Sequence, residues 1–203
     1  MNAAIRAVVR TAICSGMSVV GIEHGYQGTL DKSFREMGMR SVSDIVQRGG
    51  TILRTARCVD FVKSEVQDQA IANMREAGIE GLVVIGGDGS FRGAQALSLK
   101  GFPTVGIPGT IDNDLAYTDF TIGFHTACNT CLEAIDRIRD TSSSHDRFTI
   151  IEVMGRHCGD IALYTGIAGG AEMIILPEVP MTFSEIKKSL IEASHKGKTS
   201  GLV

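Results

Sequence analysis

The stretch from Leu82 to Asp114 constrains this chain more than any other. Leu82-Val83-Val84-Ile85 is an apolar, β-branched run too short for a helix, and it predicts a buried parallel strand. The run stops at Gly86-Gly87-Asp88-Gly89-Ser90, and a helical pattern follows with Ala94, Ala96 and Leu97 as its apolar positions. A glycine-rich loop between a strand end and a helix start turns backbone N–H groups and the positive end of the helix dipole toward one spot, which favours an anion. Glycines let the backbone approach a phosphate closely. Asp88 adds a carboxylate suited to hold Mg2+ beside phosphate oxygens. A second strand–loop unit follows at once, with Phe102 to Ile107 as the strand and Pro108-Gly109-Thr110-Ile111-Asp112-Asn113-Asp114 after it. Two carboxylates spaced i, i+2 at a strand's C-terminal end point into the crevice where parallel α/β sheets bind ligands. One can take a proton from a hydroxyl while the other handles metal or orientation. Either loop alone also fits a glycine turn with solvated aspartates; the two in succession favour a ligand site.

The rest of the chain repeats a strand–helix alternation, the pattern of an α/β fold with a parallel sheet. Residues 1–15 read as a helix with Ile5, Val8, Val9, Ala12 and Ile13 on one stripe and Gly16 as its C-cap. Val19 to Ile22 reads as a strand, His24 to Gly28 as a loop, and Ser41 to Val46 as a short helix. Thr51 to Arg57 reads as extended. Ser64 to Ala77 reads as an amphipathic helix facing Val66, Ala70, Ile71 and Met74 inward, capped by Gly78. After a polar segment from Leu115 to Gly123, a helix is expected over Ala127 to Arg139, with Cys131, Leu132, Ile135 and Ile138 inward. A loop over Asp140 to His145 follows, then a strand over Phe148 to Val153. Met154 to Asp160 is another loop at a strand end, followed by a helix to Ala168, a strand over Met173 to Leu176 and a helix over Phe183 to His195. Gly201-Leu202-Val203 begins an apolar run. The first helix has no strand before it and the last run stops as a strand begins, so the chain reads as one unit cut at both ends.

With 203 residues, 43% of them apolar, the chain can bury a substantial core. A net charge of −3 without a basic stripe argues against a nucleic-acid partner. The sequence has no apolar run of about 18 residues and no signal peptide, so no membrane partner is expected and the reading is cytoplasmic. Five scattered cysteines do not form a disulfide framework. His125, Cys128 and Cys131 fall at i, i+3, i+6 of a helix, but no fourth ligand is spaced to join them, and helix packing is the stronger reading.

Three ordered loops, Gly86 to Ser90, Pro108 to Asp114 and Met154-Gly155-Arg156, closely resemble those of bacterial ATP-dependent 6-phosphofructokinases; Asp140 to His145 and Gly169-Gly170 fit as well. The Gly-Gly-Asp-Gly element alone also resembles NAD kinases and diacylglycerol kinases, whereas the set of three in this order is specific. The resemblance spans all 203 residues. It implies a Rossmann-like three-layer α/β sandwich of phosphofructokinase type, incomplete here. An ATP-binding part would cover about 1–123 and part of a substrate-binding lobe about 124–203. The implied reaction moves the γ-phosphoryl of MgATP to the 1-hydroxyl of fructose 6-phosphate, giving fructose 1,6-bisphosphate in glycolysis. By resemblance Asp112 would be the base and Asp88 would act on Mg2+, with Asp114 supporting metal and substrate. Gly87, Gly89, Ser90 and Gly93 would line the ATP phosphates, and Tyr26, Arg57 and Cys58 the rest of the nucleotide. Cys58 stands where the family often carries an aromatic against the adenine. Thr110, Ile111, Met154, Gly155 and Arg156 would hold the sugar and the transferred group, and Arg147 would reach the sugar phosphate of a neighbouring subunit. Arginines suit that task because they bind phosphate in a bidentate way.

Pyrophosphate-using relatives tend to carry Asp where this chain has Gly89 and Lys where it has Gly109, so the two glycines favour ATP. An intact Asp112 disfavours the third reading, a non-catalytic nucleotide-binding regulatory subunit. The resemblance also implies a homotetramer with an allosteric effector site for ADP or phosphoenolpyruvate. Arg6, Arg10, Asp44, Arg139, Gly170, Glu172, Lys196 and Lys198 match that site, while Met39 and Thr199 replace two of its expected cations. The family's first strand and the sugar-phosphate residues of its second half have no counterpart here, so the 203 residues alone are expected to turn over poorly.

Overall fold

Apolar spacing and glycine caps set the long elements. Helix α1 (Asn2–Cys14) turns Ile5 and Val9 into the core and stops where Gly16 takes φ +80°. Helix α3 (Ser64–Glu76) buries Ala70, Ile71 and Met74, and Gly78, at φ +72°, ends it while its N–H and that of Ile79 bond back to Arg75 and Met74. This left-handed cap favours glycine because a Cβ there would be strained. The computed structural model describes all 203 residues and divides into two units, Met1–Gly109 and Thr110–Val203, each taken by itself below.

In the first unit, β1 (Val20–Ile22), helix α2 (Gly25–Leu30) and β2 (Phe34–Glu36) precede α3, with β1 and β2 paired antiparallel. Strand β3 (Leu82–Gly86) then leads through helix α4 (Asp88–Leu99) to β4 (Thr104–Pro108), and β3 and β4 pair in parallel from Leu82–Thr104 to Gly86–Pro108. This β–α–β crossover ends both strands at the same edge, so each strand is followed there by one of the two loops singled out by sequence. The core against α3 and α4 gathers Phe61, Ala70, Ile71, Met74, Leu97 and Phe102. A second cluster joins Ile5 and Val9 to Met37, Val42 and Ile45.

In the second unit, helix α5 (Phe124–Ser144), β5 (Phe148–Thr149), helix α6 (Asp160–Ala168), helix α7 (Phe183–His195) and β6 (Gly201–Leu202) follow in order, with β5 and β6 parallel. Phe124, Cys128 and Ile161 form its core, with Ile111, Cys131 and Val153 packed on it. Cys128 is therefore a packing residue, and His125 lies exposed against the Phe120 ring at 4.5 Å.

Several expected boundaries are corrected. The segment after β1 is a helix, because Asn73 of α3 donates its side-chain amide to the carbonyls of Thr29 and Leu30 at the end of α2. Strand β2 was absent from the sequence reading, and it makes the first sheet antiparallel. The short helix near Ser41 is a 3-10 turn over Met39–Val42, and Ser43 is already extended. Thr51 to Arg57 forms no strand, and Arg54 sits at φ 60°. Helix α5 runs through Asp140 to Ser144, and the Ser143 and Ser144 hydroxyls, which favour loops when they compete for the backbone, are turned back onto the Asp140 carbonyl inside the last turn. Only Phe148–Thr149 of the expected strand to Val153 is paired, and Met173 to Leu176 forms no strand.

Leu97 is fully buried in the α4 core while Leu99, two residues on, is 82% exposed. Leu97→Ala should lower unfolding free energy by about 2–4 kcal/mol, and Leu99→Ala by no more than about 0.5. Urea unfolding followed by circular dichroism separates the two, and equal effects would place the core elsewhere.

Candidate active site

The Gly86–Ser90 loop of the first unit is tightly made. Gly86 is buried, and a Cβ on it would meet the Ser90 Cβ and Oγ at 2.6 and 2.4 Å. Gly87 is extended and caps α4, leaving Asp88 in the first turn, where a carboxylate is favoured by the helix dipole. Gly89 faces open space, so nothing crowds a ligand there. The Asp88 carboxylate is paired with Arg92 one turn on, Nε lying 3.0 and 3.1 Å from its two oxygens. That partner was missed in the sequence, although i, i+4 spacing of opposite charges is its signal. Asp88 belongs to no group of three or more His, Cys, Asp or Glu side chains that could cage a metal ion. This fits Mg2+ held by one carboxylate together with ligand phosphates.

Tyr26 supports this loop. Its ring stacks on Phe61 at 4.0 Å, its hydroxyl donates to the Ser90 carbonyl at 2.5 Å, and its ring fills the space a Cβ at Gly93 would need. Burial pushes the phenol well above its usual pKa, so the group stays a donor. Gly93 thus meets the Tyr26 ring. Arg57 is exposed, and Cys58 opens a 3-10 turn over Val59–Val62 with its thiol pKa raised mainly by burial.

In the second unit Thr110 to Asp114 has no regular structure and is held by side chains. Thr110 Oγ1 accepts from the Asp112 N–H at 3.2 Å. Ile111 packs on the Phe124–Cys128–Ile161 core. Asn113 donates to Asp160 at 2.7 Å and accepts from the Thr121 N–H at 3.0 Å. Asp112 is partly buried and Asp114 exposed. Burial pushes the Asp112 carboxyl upward, Asp114 adds to that, and Arg156 opposes it. Asp114 and Arg156 are thus both within electrostatic reach of Asp112, which brings three expected site residues together around that carboxyl. The Asn113, Thr121 and Asp160 bridge was not foreseen. A helix opening at Gly159-Asp160 was the only hint.

Around Arg156 the backbone takes two successive positive φ angles. Gly155 is buried at φ +149° with the Cys158 carbonyl 2.3 Å from where its Cβ would lie, so only glycine fits. Arg156 takes φ 56° and is exposed. Met154 is 72% exposed and so takes no part in the core. Arg147 is exposed just before β5.

The expected effector residues fall in local groups. In the first unit Arg6 donates to the Val42 carbonyl at 2.5 Å, while Arg10 and Asp44 are exposed. In the second, Arg139 donates to the Gly169 and Gly170 carbonyls at the end of α6. Glu172 pairs with Lys198 at 2.9 Å and accepts from the Leu202 N–H at 2.5 Å. Burial raises the Glu172 carboxyl, and these partners together outweigh it to a net lowering. Lys196 is exposed at the end of α7.

The sequence model of the family described as Phosphofructokinase matches residues 1–203. An ATP-dependent 6-phosphofructokinase of Clostridium acetobutylicum is 61% identical over 203 residues, all of this chain and 64% of the relative. One from Clostridium botulinum is 59% identical over the same extent. A solved phosphofructokinase from Saccharomyces cerevisiae superposes with a TM-score of 0.88 at 39% identity, covering all of this chain and 31% of the yeast chain. The chain therefore spans 64% of the length of the curated relatives it matches.

The raised Asp112 pKa has a consequence for stability. A carboxyl that binds its proton more tightly folded than unfolded favours the fold at low pH, and that contribution is lost as pH rises through the folded value. Asp112→Asn removes the buried charge, so Tm near neutral pH should rise by about 1–3 °C. The gain should vanish near pH 3, where both states are protonated. A variant less stable at neutral pH would contradict the burial and repulsion at Asp112.

Proposed function

Because this chain belongs to the phosphofructokinase family, we propose that it carries the catalytic base and nucleotide loop of an ATP-dependent 6-phosphofructokinase. The reaction moves the γ-phosphoryl of MgATP to the 1-hydroxyl of fructose 6-phosphate and gives fructose 1,6-bisphosphate, a step of glycolysis. The observation that carries the proposal is the Asp112, Asp114 and Arg156 cluster, in which burial and a like charge raise the pKa of one acid. A raised carboxyl is a better proton acceptor than an ordinary aspartate. Asp112 takes the hydroxyl proton as the sugar oxygen bonds to phosphorus and the bond to the ADP oxygen breaks. Phosphoryl transfer asks the protein mainly for position and charge neutralisation. Arg156, with Thr110, Ile111, Met154, Gly155 and Arg147, supplies these on the sugar side. Gly87, Gly89, Ser90, Gly93, Tyr26, Arg57 and Cys58 serve the nucleotide. Asp88 would hold Mg2+, which when bound neutralises phosphate charge.

ATP is preferred to pyrophosphate because Gly89 is open and Gly109 is closed. A Cβ on Gly109 would meet Ile85 at 2.8 Å and Met1 at 3.0 Å, leaving no room for a lysine there without rearrangement. The assignment extends to a nucleotide part over about 1–123 and part of a sugar lobe over about 124–203. It also extends to a cytoplasmic homotetramer with ADP or phosphoenolpyruvate as effector at Arg6, Arg10, Asp44, Arg139, Gly170, Glu172, Lys196 and Lys198. No helix is long and apolar enough to cross a membrane.

On the full chain, Asp112→Asn should lower turnover by about 10²–10⁴-fold with little change in ATP affinity. A coupled assay offering ATP or pyrophosphate reads this, and near-normal turnover would remove Asp112 as the base.

The acid limb of kcat/KM should move in opposite directions in two variants. Asp114→Asn removes a charge that raises Asp112, so the limb shifts to lower pH; Arg156→Leu removes one that lowers it, so the limb shifts to higher pH. Shifts of the same sign would show that another group titrates.

A further inference from the structure

We infer that Asn113 is the positioning residue that fixes Asp112, through a side-chain bridge to Asp160 at the start of α6 and to Thr121 just before α5. The inference rests on the proposed role of Asp112 as base.

Asn113 lies between the two acids and takes φ 57°, a left-handed conformation that asparagine adopts more readily than most side chains. Its two amide atoms are both engaged. Nδ2 donates to Asp160 Oδ2 at 2.7 Å, and Oδ1 accepts from the Thr121 N–H at 3.0 Å, with Thr121 Oγ1 at 3.5 Å. The chemistry fixes this orientation, since a backbone N–H only donates and a carboxylate only accepts. Aspartate at 113 would set two carboxylates against each other, and an apolar side chain would make neither bond.

Both anchors are firm. Thr121 is 4% exposed, and its carbonyl accepts from the Phe124 N–H at the first turn of α5. Asp160 is followed by Ile161, 1% exposed in the Phe124–Cys128 core. The neighbouring Gly159 N–H is bonded by Glu178 at 2.7 Å. The bridge ties an irregular loop to the starts of two core helices, and any rotation about Asn113 swings its flanking acids with it. The charged groups that face Asp112 are Asp114 and Arg156, while Asp160 faces Asn113. The bridge therefore sets where the base points, and the cluster sets when it is ionised.

The test uses the full chain and four variants. Asn113→Gly keeps the left-handed backbone and deletes the bridge. It should lower kcat by about 10–100-fold, keep KM for ATP within about twofold and speed amide exchange at Thr121 at least about tenfold. Asn113→Asp and Asp160→Asn should each impair turnover. The pair N113D/D160N exchanges donor and acceptor, so it should recover kcat to within about threefold of wild type above its acid limb. That limb should lie at higher pH, because one more carboxylate stands beside Asp112. Wild-type kcat in Asn113→Gly, with or without faster exchange, overturns the positioning role. So does a double variant no better than Asn113→Asp alone. A wild-type enzyme of the relatives' full length that is inactive with both ATP and pyrophosphate defeats the kinase reading instead, and exchange at Thr121 across the same variants still decides whether the bridge exists.

Discussion

Thr110 to Asp114 carries two acids with no helix or strand to hold them, and the second unit is arranged around that constraint. A backbone without ladder bonds must be fixed by side chains or it wanders over several φ/ψ wells. Here Thr110 bonds the Asp112 amide, Ile111 is set in the apolar core and Asn113 reaches two helix starts. Each contact alone contributes on the order of 1 kcal/mol. Together they leave the loop one conformation. The same constraint explains the cost accepted at Asp112, where burial and a like charge act against ionisation and only Arg156 favours it. Such opposed contributions are common where a carboxylate must trade protons.

The first unit solves the matching problem by a different route. Its loop sits between strand β3 and helix α4, so regular structure delivers the backbone N–H groups and little side-chain support is needed. What support exists comes from an aromatic wedge: Tyr26 is clamped between Phe61 and the Gly93 face of α4 and bonds the Ser90 carbonyl. Two glycines of this loop region serve packing, Gly86 against Ser90 and Gly93 against Tyr26, while Gly89 keeps space open. Glycine count alone could not separate these uses.

What sequence revealed follows from how local each element's cause is. Helix α7 matches the Phe183 to His195 reading, and the cause of its start is local: Thr182 and Glu185 form a reciprocal cap at 2.7 and 3.3 Å within four residues. Strand β3 and the loops after β3 and β4 were legible for the same reason, an apolar run against glycine. Helix α2 was not, since it depends on Asn73, more than forty residues away. The strand at Phe148 was read too long and the one at Met173 does not form, because a strand exists only where a partner offers bonds, and β6 offers them to two residues. The acids of the candidate site stood out by type and spacing. The Asn113 bridge did not, because its partner lies 47 positions on and only the fold brings it close.

The Asp88–Arg92 pair shows how magnitudes decide what a contact means. At 3.0 Å it looks strong, yet Arg92 is 78% exposed and Asp88 43%. Exposed i, i+4 pairs contribute about 0.3–0.5 kcal/mol. A bond that weak cannot determine where the carboxylate sits; the N-terminal turn of α4 does that, with its backbone geometry and dipole. Arg92 is then no more than a weak, solvent-screened counter-charge to a carboxylate that the helix start has already placed. A cage of several buried acids would repel itself when empty and would have to be held together by the surrounding fold. One exposed acid at a helix start needs no such restraint.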